Sequence, residues 1–444
     1  AASDVYKRQL FIFSILCTAC GDDLKFGPNS GIVIPEEPTE DDPKEDEDPE
    51  INYPDNREIV ESIVYEAGKD NHIYFRIPAL TVTKKGTILA FCEARNTKAD
   101  FYEGNEDKFP VVPVGSTKDL GDIDLAVKRS TDGGKTWDNM ITVVDDYDNT
   151  CGNPAPVVVE STGRIYLFWC WGRYPNQLES KFVSSTSDGH TRRVFYCYSD
   201  DDGQTWSTQY DLTSRLKKSD WSWYATGPCH GIQKQLAPQK GRIIISANHR
   251  DNGNKDNYSH IIYSDDNGST WQLGGRTEIG GNESSLTELA DGSLLINMRR
   301  VVKDNNGNDL PSEYRASAVS KDGGATWEKS VVNQDLIDPG CQGSIVNYPI
   351  NKNRSNTLLL SNTHHSSSRS NLCISKSIDG GISWTTPLVI WSGRAAYSDI
   401  ITLQDGSVCV IYENGSGKFG KANPNEQISF YRVPPSLLGD KLNL

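Results

Sequence analysis

Residues Ser320–Trp327 read Ser-Lys-Asp-Gly-Gly-Ala-Thr-Trp, one of five copies of the pattern Ser-x-Asp-x-Gly-x-(Ser/Thr)-Trp in this chain. The other copies lie at residues 130–137, 199–206, 264–271 and 377–384. In such a segment the Asp and Ser side chains cap turn amides, a Gly adopts a positive φ, and the Trp folds back under the hairpin. We name this segment the Asp-box turn. Its recurrence predicts repeated strand–turn–strand units.

A second repeat, independent of the first, indicates how many units there are. A short turn followed by an apolar strand begins at residues 85, 162, 240, 291, 356 and 405. Spacings of about 50 to 80 residues leave room for a four-stranded antiparallel blade with long loops on one face. Helical periodicity is scarce. The sequence therefore predicts an all-β fold in which residues 56–444 form a six-bladed β-propeller with five Asp-box turns.

The net charge of −15 is concentrated in one segment. Residues 36–50 hold ten acids and one lysine, and prolines are frequent around them. We expect residues 21–55 to be an acidic, Pro-rich, disordered linker. The remainder of the chain has no basic stripe of the kind that phosphate neutralisation requires, which argues against nucleic acid as a partner.

The N-terminal residues 1–20 read as a signal peptide. Lys7 and Arg8 precede an apolar run, Leu10–Leu16, that is too short to span a bilayer. The run continues into Cys17-Thr-Ala-Cys20, which resembles a bacterial lipoprotein cleavage site with Cys20 as the lipidated residue. Ordinary secretion with cleavage near Ala19 is the alternative. We expect an exported protein, an outer-membrane lipoprotein on the periplasmic side or the cell surface, whose membrane contact is a lipid anchor at Cys20.

Ten cysteines would permit a disulfide framework, but most of them sit singly in apolar strand-like runs, as Cys92, Cys170, Cys197 and Cys409 do. We therefore expect buried free thiols. No Cys or His spacing is typical of a zinc site, and we expect neither a metal nor an organic cofactor.

A segment outside the repeats identifies a family. Tyr74-Phe-Arg-Ile-Pro-Ala-Leu80, followed by the repeated Asp-box turns, resembles the exo-α-sialidases (neuraminidases) of the bacterial and animal type. The similarity runs from about residue 63 to residue 431. It implies that the substrates are sialylated glycans on glycoproteins, glycolipids and oligosaccharides.

The resemblance also implies a set of substrate-binding residues. The family grips the substrate carboxylate with three arginines, which match Arg76, Arg299 and Arg369 here. A cluster of guanidinium groups both holds and orients a carboxylate that sits on the anomeric carbon. The family glutamate that pairs with the first arginine matches Glu413, and an arginine near the 4-position of the sugar matches Arg95.

The nucleophile of the family matches Tyr397, and its activating base matches Glu283. A neutral phenol approaches an anomeric carbon that bears a carboxylate with less repulsion than a second carboxylate would, and sialidases differ from most glycosidases in using a tyrosine for this reason. Phenol has a pKa of about 10, so it needs a base beside it. The alternative for Glu283 is a solvated loop acid, as we expect of Glu288 nearby.

Two residues compete for the role of general acid. The family usually runs from F-x-x-x-R to the acid in a few residues, which selects Asp100. Counting back from the first Asp-box turn selects Asp119 instead, and makes residues 101–118 an insertion. We favour Asp119 because its spacing is fixed by a strand and a turn. Asp124 is expected to be a structural carboxylate.

These residues predict a retaining exo-α-sialidase that forms a tyrosyl-enzyme intermediate. A trans-sialidase or an enzyme that releases an anhydro sugar would keep the same site and change the acceptor. A propeller lectin that binds sialic acid without turnover would need only the arginines, so the presence of Tyr397 and Glu283 argues against it.

Overall fold

The computed structural model describes residues 51, 53, 57–96, 119, 121–173, 192–253, 255–350, 353–385, 388–415 and 424–442. The predicted signal peptide, Cys20, nearly all of the predicted linker, and Asp100 lie outside these ranges. The described residues belong to one compact unit, Ile51–Leu444.

The described chain is built almost entirely from β-strands. The first eleven are β1 (Val60–Glu66), β2 (Tyr74–Val82), β3 (Ile88–Arg95), β4 (Ile123–Ser130), β5 (Ile141–Val144), β6 (Thr150–Val158), β7 (Ile165–Gly172), β8 (Arg193–Ser199), β9 (Tyr210–Asp211), β10 (Trp221–Thr226) and β11 (Ile232–Gln233). The next eight are β12 (Ile243–Asp251), β13 (Asn257–Ser264), β14 (Gln272–Arg276), β15 (Gly281–Glu288), β16 (Leu294–Lys303), β17 (Asp309–Pro311), β18 (Tyr314–Ser320) and β19 (Val331–Ile337). The last six are β20 (Ser344–Asn347), β21 (Leu358–Thr363), β22 (Ser370–Ser377), β23 (Leu388–Thr402), β24 (Val408–Asn414) and β25 (Gln427–Val433).

Two short helices complete the described elements, α1 (Thr213–Leu216) and α2 (Pro435–Leu442). The predicted all-β class is confirmed. Within the described ranges, no helix is long and apolar enough to cross a membrane.

The strands pair almost entirely in antiparallel fashion, and neighbours in sequence are usually neighbours in a sheet. Hydrogen bonds join them in the orders β2-β3-β4-β6-β7-β8-β9, β10-β12-β13-β14, β15-β16-β18-β19 and β1-β25-β24-β23-β22-β21-β20. In the last sheet β1, the first described strand, pairs with β25, the last described strand, from Val60 opposite Arg432 to Glu66 opposite Gln427.

The six apolar strands of the second sequence repeat all form, as β3, β7, β12, β16, β21 and β24. Each is hydrogen-bonded to a strand on either side, so both of its edges are satisfied. Their apolar residues are buried because strands in this position have covered faces as well as paired edges.

The Asp-box turn has the internal hydrogen bonds that the sequence predicts. In the copy at residues 320–327, Ser320 Oγ donates to Asp322 Oδ1 and accepts from the Gly324 amide, both at 2.8 Å. Thr326 donates to the Asp322 carboxylate from its amide at 2.9 Å and from its hydroxyl at 2.5 Å. Gly324 has a φ of +91°, which explains why this position is a glycine.

The tryptophan of each Asp-box turn packs against a different apolar cluster of the core. These residues are Trp137, Trp206, Trp271, Trp327 and Trp384. The turns therefore join the outer strands of the sheets to the interior. Eight cysteines of the described part are free and buried, as predicted.

The Asp322→Ala variant tests the contribution of one Asp-box turn. It removes the acceptor of three hydrogen bonds, and we expect the free energy of unfolding to fall by about 1–2 kcal/mol. Thermal unfolding measures the loss. Lys321→Ala is the matched control in the same turn, because its exposed ion pair with Glu328 contributes little. Equal melting temperatures for the two variants would contradict a stabilising role for the carboxylate.

Candidate active site

Strand β2 places Arg76 through a break in its regular pairing. The register with β3 shifts between Arg76 and Ala79, and Ile77 has a φ of +55°. A β-branched residue keeps this left-handed conformation only where its surroundings hold it there. Here the amide of Ile77 donates to Glu413 Oε1 at 2.7 Å, and Arg76 donates to the same carboxylate at 3.2 and 3.4 Å.

Glu413, on β24, is fully buried and joins two other strands through its carboxylate. Besides Arg76 and Ile77 on β2, it accepts a hydrogen bond from the amide of Tyr397 on β23 at 3.2 Å. The Arg76 guanidinium lies 5.3 Å from the centre of the Tyr397 ring. Glu413 therefore sets the position of Arg76 and Tyr397 together.

Tyr397 and Glu283 are in direct side-chain contact. The Tyr397 hydroxyl donates to Glu283 Oε1 at 2.5 Å, and both residues are buried. Burial raises the pKa of Tyr397 well above its ordinary value; the charge of Glu283 raises it further, and the charges of Arg299 and Arg369 oppose both effects. The phenol therefore holds its proton at rest, with a proton acceptor in contact.

Arg299 and Arg369 complete a ring of cations around Tyr397. Arg299 Nη1 donates to Glu283 Oε2 at 2.8 Å and to the Tyr397 hydroxyl at 3.5 Å. The Arg369 guanidinium lies 5.4 Å from the centre of the Tyr397 ring. Among the described residues no carboxylate pairs with Arg369, whose Nη2 donates to the Gly340 carbonyl at 3.5 Å. Its charge is thus available to an anionic ligand.

A second cluster lies beside the first and centres on Asp119. Arg95 Nη2 donates to Asp119 Oδ1 at 2.9 Å, and Arg76 Nη1 donates to the same oxygen at 3.5 Å. Arg95 also binds Glu93 Oε2, from Nε at 2.9 Å and from Nη2. The Asp119 side chain is 51% exposed, whereas Arg95 and Glu93 are buried. Asp119 therefore faces solvent from a base of buried charges.

Members of both clusters line one cleft. It is lined by Ile77, Glu93, Arg95, Asp119, Thr150, Asn153, Arg192, Trp223, Glu283 and Tyr397. The Arg192 guanidinium lies over Trp223, 4.4 Å from the ring centre, and donates to Asn153 Oδ1 at 3.3 Å. The lining of the cleft thus combines two arginines and three carboxylates with aromatic rings.

Comparison with known proteins agrees with this geometry. The family model described as a BNR repeat-like domain matches residues 112–410. A sialidase of Clostridium perfringens is 33% identical over 299 residues, which cover 63% of this chain and 69% of that protein.

The chain belongs to the sialidase family. A sialidase of Micromonospora viridifaciens is 30% identical over 369 residues, 79% of this chain, although the chain spans about half (51%) of that relative's length. The solved structure of the Hadza microbial sialidase Hz136 superposes with a TM-score of 0.69 at 26% identity, covering 84% of this chain and 68% of that one.

In this sialidase-family chain the structure brings together all eight site residues expected from the sequence. These are Arg76, Arg95, Asp119, Glu283, Arg299, Arg369, Tyr397 and Glu413. Asp100 lies outside the described residues.

Six residues that line the cleft were not among the predicted site residues, namely Ile77, Glu93, Thr150, Asn153, Arg192 and Trp223. Strand alternation would place Trp221 and Trp223 on one face, but a register shift between Trp221 and Tyr224 separates them. Trp221 packs in the core and Trp223 lines the cleft. Arg192 precedes β8 and carries no sequence signal. Glu93 could have been found, because it lies two residues before Arg95 on the same face of β3.

Two expectations about acidic residues have different outcomes. Glu288 was expected to be a solvated loop acid, and this is wrong: it is fully buried on β15, 2.7 Å from Lys234 Nζ. The backbone amides of Gln235 and Leu236 also donate to it, which explains how the charge is accommodated. Asp124 is a buried carboxylate 3.4 Å from His72 Nε2, as its structural interpretation requires.

Glu413→Gln tests how far the site depends on that carboxylate. The substitution removes the buried negative charge that pairs with Arg76, so we expect the free energy of unfolding to fall by about 3 kcal/mol. Chemical denaturation measures the change. Glu61→Gln on β1 is the control, since Glu61 is exposed and its loss should stay within about 0.5 kcal/mol. A Glu413→Gln variant as stable as this control would contradict the assigned role.

Proposed function

We propose that the protein is a retaining exo-α-sialidase that releases terminal sialic acids from glycoconjugates through a tyrosyl-enzyme intermediate. The observation that carries the proposal is the 2.5 Å contact between Tyr397 and Glu283 inside a ring of three arginines. A binding site for a carboxylate needs the arginines alone. A phenol in contact with a buried carboxylate adds a nucleophile and its base.

Substrate binding begins with the carboxylate on the anomeric carbon. Arg76 and Arg299 are held by Glu413 and Glu283, which fix their orientation. Arg369 has no acidic partner among the described residues, so its charge is the one that the substrate carboxylate balances. Binding to the three guanidinium groups would bring the anomeric carbon next to the Tyr397 hydroxyl.

The first chemical step forms the glycosyl-enzyme. Glu283 accepts the phenol proton, the Tyr397 oxygen attacks the anomeric carbon, and the bond to the leaving oxygen breaks as Asp119 gives that oxygen its proton. The surrounding arginines stabilise the negative charge that develops on the phenol oxygen. In the second step Asp119 takes a proton from water, the water oxygen attacks the anomeric carbon, and the bond between that carbon and the Tyr397 oxygen breaks as Glu283 returns its proton to the phenol oxygen.

The fold that we propose for this site is a six-bladed β-propeller. Six apolar strands, each bonded on both sides, support six blades, and the pairing of β1 with β25 supports closure of the ring between the first and last strands. Asp119, which precedes β4, and Arg192, which precedes β8, would then lie on one face.

The cellular setting is also a proposal. The signal-peptide pattern of residues 1–20 and the acidic linker of residues 21–55 support export of a propeller domain that begins near residue 56. Cys20 supports an outer-membrane lipoprotein that meets the membrane through its lipid alone. The proposed partners are sialylated glycans on glycoproteins, glycolipids and oligosaccharides, with no metal or organic cofactor.

Release of free sialic acid from a fluorogenic α-sialoside tests the function. We expect hydrolysis by the wild type and a loss of about a thousandfold or more in kcat for Tyr397→Phe, because the nucleophile is gone. Tyr431→Phe, a buried tyrosine on β25, is the matched control and should keep wild-type activity.

Three outcomes would change the proposal. No product from the wild type would overturn the enzyme assignment and leave a lectin. Formation of an anhydro sugar in place of free sialic acid would identify an enzyme that releases an anhydro sugar, and formation of a transferred sialoside would identify a trans-sialidase. Full activity in Tyr397→Phe would remove Tyr397 as the nucleophile.

The general acid is identified by comparing Asp119→Ala with Asp100→Ala on two leaving groups. Loss of the true acid should lower kcat/KM by about 10²–10⁴-fold on sialyllactose, whose leaving oxygen must be protonated. The same loss should have a much smaller effect on a nitrophenyl sialoside, whose leaving group departs as an anion. We expect this split for Asp119→Ala. Its appearance in Asp100→Ala would transfer the role to Asp100.

A further inference from the structure

The position of Asp119 raises a difficulty for its proposed role. A general acid must carry a proton when the substrate arrives, yet Asp119 Oδ1 lies 2.9 Å from Arg95 and 3.5 Å from Arg76. Cations at such distances favour the ionised carboxylate. Left uncompensated, the two arginines would keep Asp119 deprotonated over the pH range in which it must donate.

Each of these arginines, however, has a buried carboxylate of its own. Arg76 pairs with Glu413 and Arg95 with Glu93. A buried ion pair presents a much smaller net field than a lone cation, because the two charges nearly cancel beyond the pair. Asp119 therefore borders two neutral pairs.

Glu93 is held in place as firmly as Glu413. Its Oε2 accepts from Arg95 Nε and Nη2, and its Oε1 accepts from the Asn153 amide at 2.7 Å. A Cβ at Gly152 would lie 2.6 Å from Glu93 Oε1, so only a glycine leaves room for the carboxylate there. The chain thus keeps the Glu93 carboxylate buried close to Asp119.

We propose that Glu93 is a positioning residue for the general acid: by neutralising Arg95, it keeps Asp119 able to hold and deliver its proton near neutral pH. The proposal rests on the sialidase function proposed above. Glu93 acts through its ion pair with Arg95.

Other charged and titratable groups surround this pair and stay unchanged in the test. Arg76 contacts Asp119 directly, Tyr74 and Glu413 contact Arg95 and Arg76, respectively, and the groups that share the cleft are Arg192, Glu283 and Tyr397. Asp122 also titrates near neutral pH, because burial and the charge of Asp124 raise its pKa to about 6. Comparison of variants that all retain Asp122 removes its contribution.

The decisive variant is Glu93→Gln, assayed as the pH profile of kcat/KM on sialyllactose and on a nitrophenyl sialoside. Because Arg95 is then no longer neutralised, the basic limb of the kcat/KM profile for sialyllactose should move to lower pH by about one unit. At pH values above that limb, kcat/KM should be about tenfold lower than in the wild type. Below the new limb the rate should recover. The nitrophenyl substrate should lose far less, because its leaving group needs no proton.

Two further variants separate this effect from a loss of structure. Glu288→Gln removes a buried, ion-paired glutamate outside the cleft, so it should lower stability and leave the pH profile in place. The double variant Glu93→Gln/Arg95→Gln removes both charges of the pair. The basic limb of the double variant should return to within about a few tenths of a pH unit of the wild-type limb, even if KM rises. The double variant remains informative if Glu93→Gln alone does not fold.

The results that would overturn the inference are distinct from those that overturn the function. A rate loss in Glu93→Gln that is equal at every pH and for both substrates would show a merely structural role. An unchanged profile, or a double variant that keeps the shifted limb, would also overturn it. A wild type that hydrolyses neither substrate would instead overturn the sialidase proposal itself.

Discussion

The carboxylate of Glu413 is the contact on which the arrangement of the site depends. A fully buried charge is tolerated only when every acceptor position is filled, and Glu413 fills its positions from β2 and β23 at once. The left-handed conformation of Ile77 follows from this demand, because it turns the Ile77 amide toward the carboxylate. Local backbone strain near Arg76 is thus offset by hydrogen bonds to a residue more than three hundred positions away in sequence.

A second buried carboxylate lies two residues beyond Tyr397 on the same strand. Asp399 accepts hydrogen bonds from the Leu80 amide at 2.8 Å, from the His230 amide at 2.9 Å and from Ser344 Oγ at 2.6 Å, and its other contact is His230 Nδ1 at 2.7 Å. Strand β23 therefore directs Tyr397 toward the cleft and Asp399, two residues later, into a buried polar network. The position of Tyr397 on β23 is therefore set by hydrogen bonds to both carboxylates.

The sequence predicted the repeat units and the clustered site well, for a physical reason. Asp-box turns are stabilised by contacts within eight residues, so a local pattern suffices to find them. The arginines and Tyr397 were located by family motifs that lie on strands or beside them. Trp223 could not be placed, because a register shift decides which face it occupies. Glu288 was misjudged because its partner, Lys234, is distant in sequence and shows no pattern.

The pairing of β1 with β25 has a consequence for how the chain matures. The sheet that contains β1 is otherwise built from β20 to β25, so β1 has no partner strand among the described residues until β25 has been made. Closing a loop of this length is slow, because entropy is lost before the contacts form. During synthesis β1 must wait with an open edge, and it can dock only after β25 has been made. A chain shortened at its C terminus would lose the only partner that the described structure gives to its first strand.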